Sequence, residues 1–264
     1  MSVAQIDFRR SQREPAWNAV LAQPVIHNLK ILVEDRLPDL RPLHRAPHIT
    51  SLCLRGSGRP LGSFDFQGLE HLRQLSLQRI VLAEWQTPKS LLHLHELAFE
   101  ECNLRDLAFI SDMLELKKLR IQEVPQADHE TWEFNIDGLM NVANLEELRF
   151  IQTRALNIPS IMAIQYLPGI KILALDGMNM QDAGVALLVR ELGFLETLSL
   201  ERNSLTKLPD LQEARHLREL SLRHNQLQVA DFLSLPPRPV PLRVHLENNP
   251  LEKIAAPPFV QVTS

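Results

Sequence analysis

Three histidines stand at matching places in this 264-residue chain: His48, His71 and His93 each immediately precede the aliphatic residue that opens a similar eleven-residue pattern, and His216 does so further on. If the segments that follow are strands lying side by side, the first three imidazoles form one column with a step of about 4.8 Å. Imidazole suits zinc or nickel, so His48, His71 and His93 are candidate metal ligands. A rim position copied along with a repeat gives the same spacing, and no thiol or carboxylate at hand completes a tetrahedral set. Like charges stacked this closely also resist protonation. The rim reading is adopted, and no metal or cofactor is expected.

The two thiols point the same way. Cys53 and Cys102 lie 49 residues apart with no C-x-x-C spacing, which argues against a zinc grip or a redox pair. Use of either as a nucleophile requires a neighbouring base to make the thiolate, and the sequence places none there. There is no H-E-x-x-H, no G-x-S-x-G and no glycine-rich phosphate loop, and the chain holds only nine glycines. A non-enzymatic protein is expected.

The elements that carry these residues repeat. Residues 194–206, FLETLSLERNSLT, and 216–228, HLRELSLRHNQLQ, share L-x-x-L-x-L-x-x-N-x-L. The third leucine position of that pattern recurs at Ile31, Leu54, Leu77, Phe99, Ile121, Phe150, Leu175, Leu200, Leu222 and Leu246, at intervals of 23, 23, 22, 22, 29, 25, 25, 22 and 24. A near-constant period in this range is the mark of a stacked solenoid. Within each copy L-x-L alternates as a strand does, leucines inward and the residues between them outward. One such turn cannot bury its own leucines, so neighbours must cover each other. Between strands, Val185, Leu188, Val189 and Leu192 recur at helical spacing and predict a return helix begun near Asp182; residues 160–167, SIMAIQYL, read similarly. The 22-residue intervals leave room only for a turn or a short 3₁₀ stretch.

With these motifs in place, residues 26–251 resemble the leucine-rich repeat family, and two 25-residue units are similar to ribonuclease-inhibitor-like repeats. The resemblance implies an α/β leucine-rich repeat solenoid: curved, about ten repeats, a parallel sheet on its concave face and mixed helix, 3₁₀ and loop behind. In that family the Asn of the pattern bonds the backbone of the neighbouring turn; Asn203, Asn225 and Asn249 hold it, whereas Cys102, Ser57 and Thr153, and the apolar Ile80, Val124 and Met178, occupy it elsewhere. A less regular N-terminal half is expected. The domain reading is a cap over residues 1–25, repeats over 26–251 and a cap or tail over 252–264. In the first, Pro15–Leu21 forms a short helix laying Trp17, Val20 and Leu21 over the first turn; in the last, Pro257, Pro258, Phe259 and Val260 cover the final turn.

Composition bounds the partners. At 45% hydrophobic and 23% charged the chain folds around a sizeable core, and a net charge of −4 with a pI near 6.2 supplies no basic field for nucleic acid or anionic lipid. The N-terminal segment has no signal-peptide core and no stretch reaches a membrane span, so a cytoplasmic location is expected, delivery by a signal-less secretion system remaining open. The family's usual function is to bind a protein on the sheet's outward residues. The candidates there are Glu96, Lys118, Arg120, Glu147, Arg149, Ile151, Ile172, Asp176, Glu201 and Arg223. Arg120 and Arg149 occupy one column in successive repeats, and paired guanidiniums beside Ile151 and Ile172 imply an acidic, partly apolar partner segment. The alternative surface is the insertion PQADHETWEFNID with Trp132 and Phe134, which either binds or folds back over a break in the array. Roles as an effector, as an immunity-type protein that occludes a target, or as a regulatory subunit stay open; no small-molecule substrate is implied.

Overall fold

The computed structural model describes residues 3–8, 15–34, 38–59, 66–82, 89–104, 106–122, 135–153, 164–167 and 169–264. They divide into two units, one running to Glu130 and taking in Asn135–Asn144, the other comprising Leu145–Ser264.

The first unit is built on β1 (Val3–Asp7), β2 (Asn28–Leu32), β3 (Ser51–Arg55), β4 (Gln74–Gln78), β5 (Glu96–Glu100) and β6 (Lys118–Gln122), each parallel to the one before. Alternation decides which side chains go inside: Leu29 and Ile31, Leu52 and Leu54, Leu75 and Leu77, Leu97 and Phe99, Leu119 and Ile121 are all at most 3% exposed. Because the strands pair without stagger, Asn28, Ser51, Gln74, Glu96 and Lys118 stand in one outward row. Short 3₁₀ turns return the chain at Arg41–Arg45, Lys89–Leu91, Ala108–Ile110 and Asp137–Asn141, plugging the core with Leu43, Leu91, Ile110 and Leu139. Two of these turns touch backbone to backbone at Gly138, where an added Cβ would lie 1.8 Å from the Leu107 carbonyl oxygen. The leucine spacing does not announce β1, which aligns Ile6 with Ile31. Helix α1 (Pro15–Leu21) follows it, with Trp17 and Val20 buried and the Trp17 ring 5.6 Å from Phe8.

The second unit has parallel strands β7 (Glu147–Ile151), β8 (Ile172–Asp176), β9 (Thr197–Ser199), β10 (Glu219–Ser221), β12 (Leu242–His245) and β14 (Val260–Thr263), and behind them β11 (Val229–Asp231) pairs with β13 (Lys253–Ala255). Of Pro257, Pro258, Phe259 and Val260, read from sequence as cover for the last turn, Val260 opens β14, which joins the sheet beside β12. Helix α2 (Asp182–Glu191) buries Val185, Leu188 and Val189. Its opening carboxylate accepts hydrogen bonds from the Thr206 and Lys207 amides and the Thr206 hydroxyl, at 2.9, 3.1 and 2.6 Å, and so ties the helix to the next turn. Of the second expected helix, Ile164–Tyr166 is a 3₁₀ turn and residues 160–163 lie outside the described residues.

Turn is linked to turn by side chains at the Asn position. Asn203 donates to the Leu175 carbonyl at 2.8 Å and accepts from the Met178 and Met180 amides, each at 3.0 Å; Asn225 and Asn249 repeat the arrangement on Leu200 and Leu222. Cys102 does the same with a weaker donor, its thiol reaching the Leu77 carbonyl at 3.3 Å. Just past seven of the strands the backbone turns left-handed, at Arg79, Glu101, Gln152, Gly177, Arg202, His224 and Asn248, a conformation that costs most residue types energy.

Candidate functional site

Each five-residue strand presents three outward positions and each shorter one fewer, so register alone creates rows of side chains on each unit's sheet. In the first unit the middle row is Gln5, Lys30, Cys53, Ser76, Ala98 and Arg120, and the row after it is Asp7, Leu32, Arg55, Gln78, Glu100 and Gln122. Glu96 pairs with Lys118 at 2.8 Å, and Glu100 accepts from the Gln78 amide at 2.9 Å. Arg120 donates to the Gln122 side-chain oxygen at 2.5 Å.

In the second unit the rows form a connected polar array. Asp176 accepts from the Ser199 hydroxyl at 2.6 Å and the Glu201 amide at 2.9 Å; Glu201 accepts from the Ser221 hydroxyl at 2.6 Å and lies 3.6 Å from Arg223. Arg223 then forks onto Glu247 at 2.8 and 3.3 Å, and Thr263 donates to the same carboxylate at 2.9 Å. His245 stands 3.4 Å from Glu219. Arg149 bonds to Glu147 on its own strand. Ile172 and Ile151 are half-buried at the strand ends.

Burial pushes the Asp176 carboxyl above the usual carboxylate range, against the hydrogen bond from Ser199. Its folded-state affinity for a proton exceeds the unfolded one, so the ionised form is held at a cost in stability near neutrality. Glu247 is the opposite case: the Arg223 hydrogen bonds bring it down from 4.5 to about 2. A depressed carboxyl contributes stability above its unfolded pKa and loses it as pH falls through the folded one. The urea midpoint of the wild-type chain is therefore expected to fall more steeply between pH 4.5 and about 2 than that of Glu247→Gln; parallel curves would show that the pair contributes nothing.

The histidine column divides. His93 is bonded to Glu115 at 2.8 Å, and His95 reaches the other oxygen of that carboxylate at 3.4 Å. His48 and His71 each have a buried Nε2 with no hydrogen-bond partner. Burial pushes His71 below the usual imidazole range, with the charges of His44, Arg73 and His48 acting in the same direction. Among the described residues no group of three histidine, cysteine, aspartate or glutamate side chains is placed to hold a metal ion. Burial raises the Cys53 thiol and pushes Cys102 up to about 11, which lowers the thiolate fraction of each. Trp132 and Phe134 lie outside the described residues.

No family model and no curated protein matches the sequence. Solved structures do. An internalin from Listeria monocytogenes superposes with a TM-score of 0.50 at 14% identity, covering 89% of this chain and 82% of that one. A leucine-rich repeat protein from Leptospira interrogans gives 0.53 at 19% identity, covering 98% and 72%. The fold is a leucine-rich repeat solenoid. In leucine-rich repeat terms the rows above are the outward positions of the repeat strands, and the Asn side chains are its turn-to-turn links. No helix among the described residues is long and apolar enough to cross a membrane.

Sequence reasoning missed two kinds of residue. Ser199, Ser221 and Thr263 organise the second unit's carboxylates, and their outward register was the available signal. Lys30 and Arg55 stand on the first unit's face without an ion pair among the described residues, which only side-chain placement reveals.

Proposed function

We propose that the chain is a protein-binding scaffold that takes its partner on the outward rows of its sheet. The carrying observation is the pre-organised array from Asp176 to Thr263, whose side chains are locked in rank by strand register and by one another. A fixed surface of this kind loses little side-chain entropy on binding, which favours recognition. Neither thiol is poised as a nucleophile, so binding rather than covalent chemistry is the reading adopted. Action as an effector, as an occluding immunity-type protein or as a regulatory subunit would each use the same surface.

Chemical cross-linking in the native cell, followed by mass spectrometry, tests this. One co-purifying protein is expected, with its cross-links at outward positions such as Lys30 and Lys118. Cross-links confined to residues 123–134 would instead give the role to the Trp132 and Phe134 segment, and cross-links confined to the return turns would overturn the scaffold reading.

A further inference from the structure

Resting on that scaffold reading, we propose that the outward face of the first unit docks an acidic segment of the partner protein, held by Lys30, Arg55 and Arg120. The chain carries a net charge of −4, yet this face is cationic. Its outward rows bring Lys30, Arg55, Lys118 and Arg120 against Asp7, Glu96 and Glu100. All three carboxylates are engaged, Glu96 by Lys118, Glu100 by Gln78, and Asp7 by a partner of its own. Lys30, Arg55 and Arg120 have no carboxylate at ion-pair distance among the described residues, and Arg120 spends one N–H on the neutral Gln122 side chain. Just ahead of the strands Arg73 adds a further charge, its guanidinium bonded to the backbone carbonyls of Glu70 and Leu72 at 2.8 and 2.9 Å.

The second unit provides the contrast. Arg149 is taken by Glu147 and Arg223 by Glu201 and Glu247, so among the described outward strand positions of that unit only Arg243 is a cation without a carboxylate at ion-pair distance. Four strand steps of about 4.8 Å separate Lys30 from Arg120, a span of roughly 19 Å. That is the length of about thirteen helical residues or six extended ones. Two-point guanidinium contacts then set the register of the bound carboxylates, and the surrounding charge speeds their approach. A nucleic acid would call for a continuous cationic track with aromatic rings to stack bases; the outward rows here carry separated cations and no aromatic side chain.

The test is fluorescence anisotropy at low ionic strength with a labelled oligoglutamate peptide, and labelled duplex DNA as the second polyanion. The wild-type chain is expected to bind the peptide in preference to DNA. Arg55→Glu with Arg120→Glu should weaken peptide binding at least about tenfold, Arg55→Gln with Arg120→Gln by less, and Arg243→Glu should leave it unchanged, all with unaltered melting temperatures. Absence of peptide binding by the wild-type chain, an equal loss in Arg243→Glu, or tighter DNA binding through the same residues would overturn the proposal. If cross-links to a native partner still fall on outward rows while the peptide fails, the scaffold stands and the acidic partner does not; cross-links away from those rows remove both.

Discussion

Asn225→Ala is expected to lower the opening free energy of the second unit by about 2–4 kcal/mol, although it deletes no apolar packing. Asn225 is 6% exposed. Its side-chain nitrogen donates to the carbonyls of Leu200, Leu222 and Arg223 at 2.9, 3.0 and 3.3 Å, and its oxygen accepts from the Leu205 amide at 3.1 Å. Alanine leaves those backbone groups without that partner in a place largely closed to water, and each unsatisfied buried group costs about 1–3 kcal/mol before relaxation. Asn249 makes matching bonds to Leu222, Leu246 and Leu227 but is only half-buried, so water can replace its amide and Asn249→Ala should cost less. Amide hydrogen exchange read by mass spectrometry checks both: protection should drop over residues 197–227 in the first variant. Equal losses in the two variants would mean that burial does not set the effect.

The rows of leucine were legible because strand alternation and a fixed period each constrain them, and the two constraints agree from Ile31 to Leu246. The strand Val3–Asp7 was not, since only Ile6 of its five residues is buried and no leucine pattern leads into it. The left-handed residues were hidden for another reason: Arg79, Glu101, Gln152 and Arg202 are not types that favour that conformation, so the bend is imposed by the stack rather than by local preference. Among the site candidates, row membership could be read but the pairing could not be ranked. Glu147 lies two residues before Arg149, and residues at i and i+2 share a strand face, so neutralisation of that guanidinium was available as a signal. Arg223 between Glu201 and Glu247 in its row was another. What no spacing carries is which cations are left over, and that singles out Lys30, Arg55 and Arg120.

Leu200→Ala carries the largest expected effect, about 2–5 kcal/mol. The side chain is fully buried, one residue past β9, where the register of Ser199 with Ala174 and Ser221 carries on to place it between Leu175 and Leu222. Its backbone bonds do not depend on the side chain: the amide donates to the Ser221 carbonyl at 2.9 Å and the carbonyl accepts from Asn225 at 2.9 Å. Truncation therefore removes methyl contacts while leaving the links to the next turn in place, and what is measured is the transfer and cavity cost alone. In a solenoid each turn is stabilised chiefly by the turns on either side, so the loss should spread to β8 and β10 while the first unit's exchange stays unchanged. Leu205→Ala, also fully buried but beyond the strand, supplies the comparison: if the strand row is the structural centre of the repeat, its effect should reach fewer neighbouring amides. A loss below about 1 kcal/mol at Leu200 would place it outside the range for a buried leucine and would be incompatible with its assigned place in the inward row.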